Sequence, residues 1–406
     1  MSVEISRLRA IAAGGDAIGE VGGKTAFVPL GIPGELVRLQ VSREYPRYVA
    51  AELTEILEPS PDRVAAPCPY FGRCGGCQWQ HIRYARQLEL KRQIVADAMA
   101  RIGKLPNAEV LPVLGMNEPW GCRNNVQFEV LPSGMLAFKA FHSHAAVEID
   151  RCLITQPVLN ELAVVLRPLP EGIQRAVLRC GVNSGERLIL LEGYRPPKSV
   201  AADVECVYRN PKGALQALSG KGVLHEQLGG RRWQVSAGSF FQVNTAQAEV
   251  LLAEVRKRLP EGGDLLVDAY CGVGTFALSL AERFERVVGI ESAPSAIEDA
   301  MVNGAGDPHV RFRRGTTESE LSGALEPGCT MICDPPRAGC GPAVLRAMAE
   351  AEVGMIVYVS CDPATLARDL ATLASLGYAV GALQPVDMFP QTAHIECVVA
   401  LSRNRI

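Results

Sequence analysis

From Ala246 onward, buried strands alternate with short helices, and this alternation restricts the chain more than any other feature of its sequence. The order is helix 246–259, strand 265–268, strand 286–290, helix 295–303, strand 310–313, strand 331–333, helix 343–351, strand 355–359 and helix 364–376. Parallel strands need long crossovers, and helices of this size supply them. The pattern predicts an α/β domain over 236–406: a doubly wound, mainly parallel, Rossmann-like sheet that receives ligands at the carboxyl ends of its strands.

Upstream the texture changes. Residues 1–58 carry short apolar pieces, such as Ala26-Phe27-Val28 and Glu35-Leu36-Val37, between Gly14-Gly15-Asp16, Gly22-Gly23-Lys24 and Gly31-Ile32-Pro33-Gly34. Many short strands joined by glycine turns predict a small OB-like β-barrel, a form suited to oligonucleotides. A proline-rich linker, 59–69, leads into a central α+β domain, 59–235. That domain has an amphipathic helix 87–102, with Leu88, Ile94, Val95, Ala98 and Ile102 on one side, and strand pieces at 126–130 and 187–191. A chain of 406 residues has room for three such domains, each with its own core.

Composition excludes several classes. With 48% apolar and 21% charged residues the chain is neither disordered nor low-complexity. The start, MSVEISRLRA, carries no signal-like apolar stretch, and no apolar run approaches the ~18 residues of a membrane helix. A soluble, cytoplasmic monomer without a membrane partner is expected. The net charge of −3 argues against a globally basic nucleic-acid binder. Yet eight Arg or Lys and only two acids lie between Arg63 and Lys104, which predicts a phosphate-facing patch, the alternative being a solvated helix face.

Asp268-Ala-Tyr270-Cys-Gly272-Val-Gly274-Thr275 follows a strand and opens a helix, so its glycines let backbone approach a ligand closely. Nineteen residues after Gly272 the next strand ends in Glu291, placed to accept hydrogen bonds from both ribose hydroxyls of a nucleoside. The spacing is not the G-x-G-x-x-G of a dinucleotide pocket. A loop without the third glycine suits a cofactor lacking a pyrophosphate, such as S-adenosylmethionine.

Two further strands end in Asp334-Pro-Pro-Arg337-Ala-Gly339 and Ser360-Cys361-Asp362-Pro363. Asp362 is a natural N-cap and Pro363 suits the first helical position. Cys361 then sits just outside a helix N-terminus, which favours thiolate, while Asp362 opposes that effect. Near the C-terminus, Glu396 opens the apolar strand 397–401, where desolvation raises a carboxylate toward the range of a proton acceptor. His394 competes for that role and is read as a packing or orienting residue. A nucleophilic sulfur, a base and a methyl donor are what carbon 5 of uracil requires. A thiolate adds to carbon 6, carbon 5 becomes nucleophilic and takes the methyl group, and a base then removes the carbon 5 proton so that the thiol departs.

Asp-Ala-Tyr-Cys-Gly-Val-Gly-Thr-Phe-Ala-Leu, Asp-Pro-Pro-Arg-Ala-Gly, Ser-Cys-Asp-Pro-Ala-Thr-Leu-Ala-Arg-Asp-Leu and Phe-Pro-Gln-Thr-Ala-His-Ile-Glu together resemble the RNA uracil-5-methyltransferase family. The similarity extends back through Gly238-Ser-Phe240-Phe241-Gln242-Val243-Asn244. It implies a class I methyltransferase domain, S-adenosylmethionine contacts from Gln242, Tyr270, Glu291 and Asp334, Cys361 as nucleophile and Glu396 as base. Phe240 is expected to stack on a uracil flipped out of its helix. Residues 1–58 are similar to the TRAM domain, an RNA-binding barrel.

Cys68, Cys74 and Cys77, with Gly75-Gly76 between the last two, form a tight group that suggests a metal or cluster. By the resemblance Cys152 is the fourth ligand of a four-iron, four-sulfur (4Fe-4S) cluster; zinc is the alternative. The remaining eight of the thirteen cysteines, Cys122, Cys271 and Cys333 among them, read as apolar filler. The branch that combines a TRAM domain with such a cluster mostly modifies 23S ribosomal RNA. This implies methylation of a specific uridine there, with transfer RNA as the alternative substrate. Two other readings are a cytosine-5 or exocyclic-amine methyltransferase and a non-catalytic RNA-binding protein.

Overall fold

The computed structural model describes residues 3–143, 145–198, 200 and 204–404. At the N-terminus six strands pair in the order Val3–Arg7, Leu36–Glu44, Tyr48–Glu58, Lys24–Val28, Ala17–Val21, Ala10–Ile11. Only Leu8 and Arg9 separate the two ends of that order. Leu8 N donates to Glu35 O (2.9 Å) and Arg9 N to Ile18 O (2.8 Å), so one continuous strand meets both edges and the sheet closes on itself. Ala17, Ala26, Val28, Val37 and Leu39 fill its interior. Closure removes the unpaired edges that invite association.

The proline-rich segment that follows is not a free tether. Arg63 Nε and Nη2 grip the fully buried Glu35 at 2.6 and 2.7 Å, and the amides of Ile32 and Ser60 donate to the same carboxylate. Burial alone would raise this carboxyl; Arg63 and the two amides outweigh it and hold the carboxyl below its usual range.

The central sheet has seven strands, in the order Leu215–Ser219, Glu205–Arg209, Arg187–Gly193, Ile173–Cys180, Asn125–Val130, Leu136–Lys139, Ala146–Glu148. Helix Pro157–Leu166 covers one face through Leu159, Leu162 and Leu166. The hairpin Val223–Leu228 with Arg231–Ser236 lends Leu228, Trp233 and Val235 to the C-terminal core.

In the C-terminal sheet the order is Val310–Arg314, Phe284–Glu291, Gly263–Asp268, Thr330–Cys333, Met355–Ser360, Glu396–Arg403, Tyr378–Val380. The first five strands are parallel, as the alternation predicts. Glu396–Arg403 inserts antiparallel beside Met355–Ser360, and Gln384–Val386 pairs with its beginning. Strand order reverses between Gly263–Asp268 and Thr330–Cys333, the switch point at which such sheets bind ligands.

Helix Tyr84–Arg101 begins three residues before the expected 87, and the apolar stripe that includes Ile94, Val95 and Ala98 faces the core as expected but also carries two polar residues inward. It packs against helix Pro363–Ser375 and buries Gln87, Leu90, Lys91, Ile94, Val95 and Met99, while Ile102 is exposed. The expected phosphate-facing patch is correspondingly reduced. Lys91 is fully buried against Asp387, Arg63 is committed to Glu35, and Arg83 and Arg86 pair with Asp62. Counting charges along a sequence cannot separate cations that face water from cations consumed inside the fold.

Candidate functional site

The glycine-rich turn is built on a buried carboxylate. Asp268, at the end of its strand, accepts from Ala277 N (3.0 Å) and so ties the turn to the helix beyond it. Its other oxygen, Oδ1, is buried without a partner among the described residues, and burial raises the carboxyl to about 7. Gly274 has φ +90°, a conformation that disfavours any side chain; a Cβ there would also press on Leu278 and Phe312 at 3.0 and 3.2 Å. Glu291 receives Gly272 N at 3.1 Å and Ala293 N at 2.7 Å, so it is fixed at the rim of the turn. Phe240, Gln242, Tyr270, Gly272, Thr275 and Asp334 line one cavity.

Phe240 stands 65% exposed at that cavity, unusual for a large aromatic ring and a suitable stacking platform. The turn before it is held by two buried charges. Ser239 Oγ donates to Asp299 Oδ2 at 2.6 Å, and Arg179 Nη1, from the central sheet, donates to Ser239 O at 2.8 Å. Asn124 Nδ2 donates to Gln242 O (3.0 Å) and to Thr245 Oγ1 (2.9 Å). The central sheet thus positions two of the expected site residues.

Asp362 caps helix Pro363–Ser375, its Oδ1 accepting from Ala364 N and Thr365 N at 2.9 Å each. Cys361 lies just before this cap, half-buried. Its thiol is pushed up to about 11, first by burial and then by the charges of Glu396 and Asp334, with Arg337 opposing. Burial first, with the two acids adding to it, thus favours the thiol over the thiolate. Glu396 is 4% exposed, and burial with the like charge of Asp334 raises its carboxyl well above the carboxylate range. Burial takes Asp334 up to about 7. Cys361, Glu396, Asp334 and Arg337 form one electrostatic group. His394 packs edge-on against Phe389, ring centroids 5.9 Å apart.

Cys68, Cys74, Cys77 and Cys152 line a separate cavity of about 230 Å³, joined by Arg123, whose buried Nε is unpartnered among the described residues. Burial pushes the Cys77 thiol up to about 12, and the three other sulfurs add to the shift. No three His, Cys, Asp or Glu among the described residues converge tightly enough to hold a single metal ion. The donor set is four cysteine sulfurs on the wall of one cavity, a chemistry that suits a thiolate-bound cluster or metal. Gly75 N donates to Lys139 O at 2.9 Å, and a Cβ there would meet Lys139 O and Ala140 O at 3.2 Å, so the glycine permits the close wrap.

Three residues that shape the site lie outside the motifs: Gln87, Lys91 and Asp387, around the loop before Glu396. The available signal was Gln87 and Lys91 themselves, two polar residues four apart on an otherwise apolar helix stripe.

A model of the tRNA (Uracil-5-)-methyltransferase family matches residues 225–404. An uncharacterized RNA methyltransferase of Listeria innocua is 36% identical over 98% of this chain and 96% of its own length. One of Thermosynechococcus vestitus is 36% identical over 98% of this chain and 97% of its own. Among solved structures, the Pyrococcus abyssi tRNA (uracil-54, C5)-methyltransferase in complex with S-adenosyl-L-homocysteine superposes with a TM-score of 0.80 at 26% identity. That match covers 98% of this chain and 100% of the other. With the switch-point cavity, the sulfur and the carboxylate at the sheet's rim, these matches show an S-adenosylmethionine-dependent enzyme of the α/β methyltransferase fold, and the chain belongs to the RNA (uracil-5-)-methyltransferase family.

Proposed function

We propose that this chain methylates carbon 5 of a specific uridine in 23S ribosomal RNA through a covalent bond between Cys361 and the uracil ring. The observation that carries the reading is the pairing of Ser360 with Cys397, which sets Cys361 beside Glu396 next to Asp334. Gln242, Tyr270, Glu291 and Asp334 hold S-adenosylmethionine, and Phe240 stacks on the flipped base. When bound, this cofactor supplies an electrophilic methyl group on a sulfonium and leaves as S-adenosylhomocysteine. Cys361 Sγ bonds to carbon 6 of uracil, its proton passing to Asp334, and the carbon 5–carbon 6 double-bond pair shifts to make carbon 5 nucleophilic. Carbon 5 takes the methyl group. Glu396 then removes the carbon 5 proton; the freed pair restores the double bond and expels the Cys361 thiolate.

Cys68, Cys74, Cys77 and Cys152 would hold a 4Fe-4S cluster, which would supply a covalent cross-link between segment 68–77 and Cys152 rather than an electron, since methyl transfer needs no redox step. The closed N-terminal sheet, read as a TRAM domain, and the central sheet would carry the RNA. The choice of 23S RNA rests on the combination of that barrel with the four cysteines. Transfer RNA is the second reading, favoured by the substrate of the Pyrococcus abyssi enzyme.

Purified protein with a labelled methyl donor tests both, presented in turn with 23S and transfer-RNA transcripts. Label at carbon 5 of a single 23S uridine, abolished in Cys361→Ala, is the expected result. Label confined to transfer RNA overturns the substrate assignment, and full methylation by Cys361→Ala overturns the mechanism.

A further inference from the structure

The strand bearing Glu396 is reached through a nine-residue loop, 387–395, that begins and ends at a paired position: Val386 on one strand faces Glu396 on the next. A loop of this length ordinarily leaves its ends some freedom. Here one side chain from another part of the chain ties both ends together. Lys91, on helix Tyr84–Arg101, is fully buried, and its ammonium group reaches three oxygens of this loop. Nζ lies 2.5 Å from Asp387 Oδ1, 3.0 Å from Phe389 O and 2.8 Å from His394 O. Asp387 opens the loop, and His394 is two residues from Glu396. An ammonium has three protons, and each has one acceptor.

The surroundings make this arrangement single-valued. Tyr84 Oη donates to Asp387 Oδ2 at 2.6 Å, so both oxygens of the carboxylate are occupied. One turn before Lys91 on the same helix, Gln87 exchanges hydrogen bonds with Gln391: Nε2 to Oε1 at 2.9 Å, and Gln391 N to Gln87 Oε1 at 3.2 Å. Gln391 has φ +66°, a left-handed conformation that costs a non-glycine residue about 1–2 kcal/mol and persists only where neighbours enforce it. The chain just past Cys77 enforces it as well: Gln78 N and Trp79 N both donate to Gln391 O, at 3.1 and 3.0 Å. A buried ion pair is a poor source of stability, because desolvation offsets its attraction; its better use is to specify one geometry. A misplacement of about 1 Å at a reacting group can cost on the order of 100-fold in rate.

We infer that Lys91 is a positioning residue for proton removal from carbon 5, acting by cross-tying the two ends of loop 387–395 so that Glu396 meets the uracil–Cys361 adduct. The inference rests on the reading of Glu396 as the base. It separates the roles along the reaction, because Cys361 follows a different strand, Met355–Ser360, while the hydrogen bonds of Lys91 go to loop 387–395. Loss of the tie slows resolution of the adduct, not its formation.

The test is single-turnover methylation by the full-length protein, using whichever transcript the wild-type chain methylates. Lys91→Met with Asp387→Asn removes both buried charges together and leaves no uncompensated ion. Expected are a rate reduced on the order of 10–100-fold, an RNA KM within about threefold of wild type, and a protein–RNA adduct resistant to denaturing electrophoresis, as in Glu396→Gln. Wild-type turnover in this double variant overturns the inference. So does lost turnover without adduct, which is the signature of a merely structural role. Should the double variant fail to fold, Tyr84→Phe removes the hydroxyl that donates to Asp387 and accepts from Met116 N and leaves both buried charges in place; it should slow adduct resolution about 3–10-fold, and unchanged resolution overturns the inference. Failure of the underlying reading shows separately: Glu396→Gln would then release methylated RNA at the wild-type rate.

Discussion

Cys361 lies across the sheet from Glu396 because Ser360 is the antiparallel partner of Cys397, so the next residue in each direction falls at the same rim position. The sulfur comes from the end of a parallel strand and the carboxylate from the start of the inserted antiparallel one. Strand register thereby brings the proposed nucleophile and the proposed proton acceptor to one rim position, and this relationship makes the chemistry testable residue by residue.

Replacing Cys361 with alanine should abolish methylation, by at least about 1,000-fold, while leaving S-adenosylmethionine affinity unchanged. Equilibrium dialysis of the donor and methyl incorporation, measured on one preparation, separate the two effects.

Glu396→Gln keeps the shape and removes the base. Turnover should fall about 100- to 10,000-fold, and a methylated protein–RNA adduct should accumulate. Denaturing electrophoresis with labelled donor detects it; absence of the adduct counts against Glu396 as base.

Activity should rise with pH, because the thiol and the acids around it start protonated. Burial takes Asp334 up to about 7; burial, Glu396 and Asp334 take Cys361 up to about 11. The ascending limb of kcat/KM should therefore lie near or above neutrality, not in the ordinary carboxylate range. Asp334→Asn removes a negative neighbour of both Cys361 and Glu396, so whatever activity remains should rise at lower pH. A limb that stays in place contradicts the coupling.

Asp268 makes a prediction about stability. Its folded carboxyl is raised to about 7 by burial, with Asp334 and Glu291 adding like charge. An unfolded aspartate titrates near 3.9, so the fold prefers the proton. The stabilising contribution is complete below about pH 4 and is lost as pH rises through about 7. Asp268→Asn should flatten the fall in Tm between about pH 5 and about pH 8; an unaltered slope in thermal melts assigns that loss to other groups.

Phe240→Ala removes the exposed ring without touching the core. Stacking is worth about 1–3 kcal/mol per base, so kcat/KM for RNA should drop on the order of 5- to 150-fold. Donor binding should stay unchanged in the same protein.

Local spacing carried most of the chemistry. The strand–helix alternation, the glycine turn after Asp268, Glu291 nineteen residues beyond Gly272 and the Asp362 cap are relations between near neighbours, and the structure contains each of them. The burial of Gln87 and Lys91 within the apolar stripe of helix Tyr84–Arg101 was not legible because amphipathic patterning assigns charged residues to water. Lys91 violates that assignment only because a carboxylate and two carbonyls some 300 positions later surround it. The barrel's closure through Leu8 and Arg9 and the insertion of Glu396–Arg403 into a parallel sheet were likewise beyond local reading. Sequence by itself determined which residue types stand at the strand ends, since periodicity and turn chemistry are properties of the local chain. Tertiary structure alone decided which of those ends meet and which charges survive at the surface, because strand register and desolvation depend on partners distant in the chain.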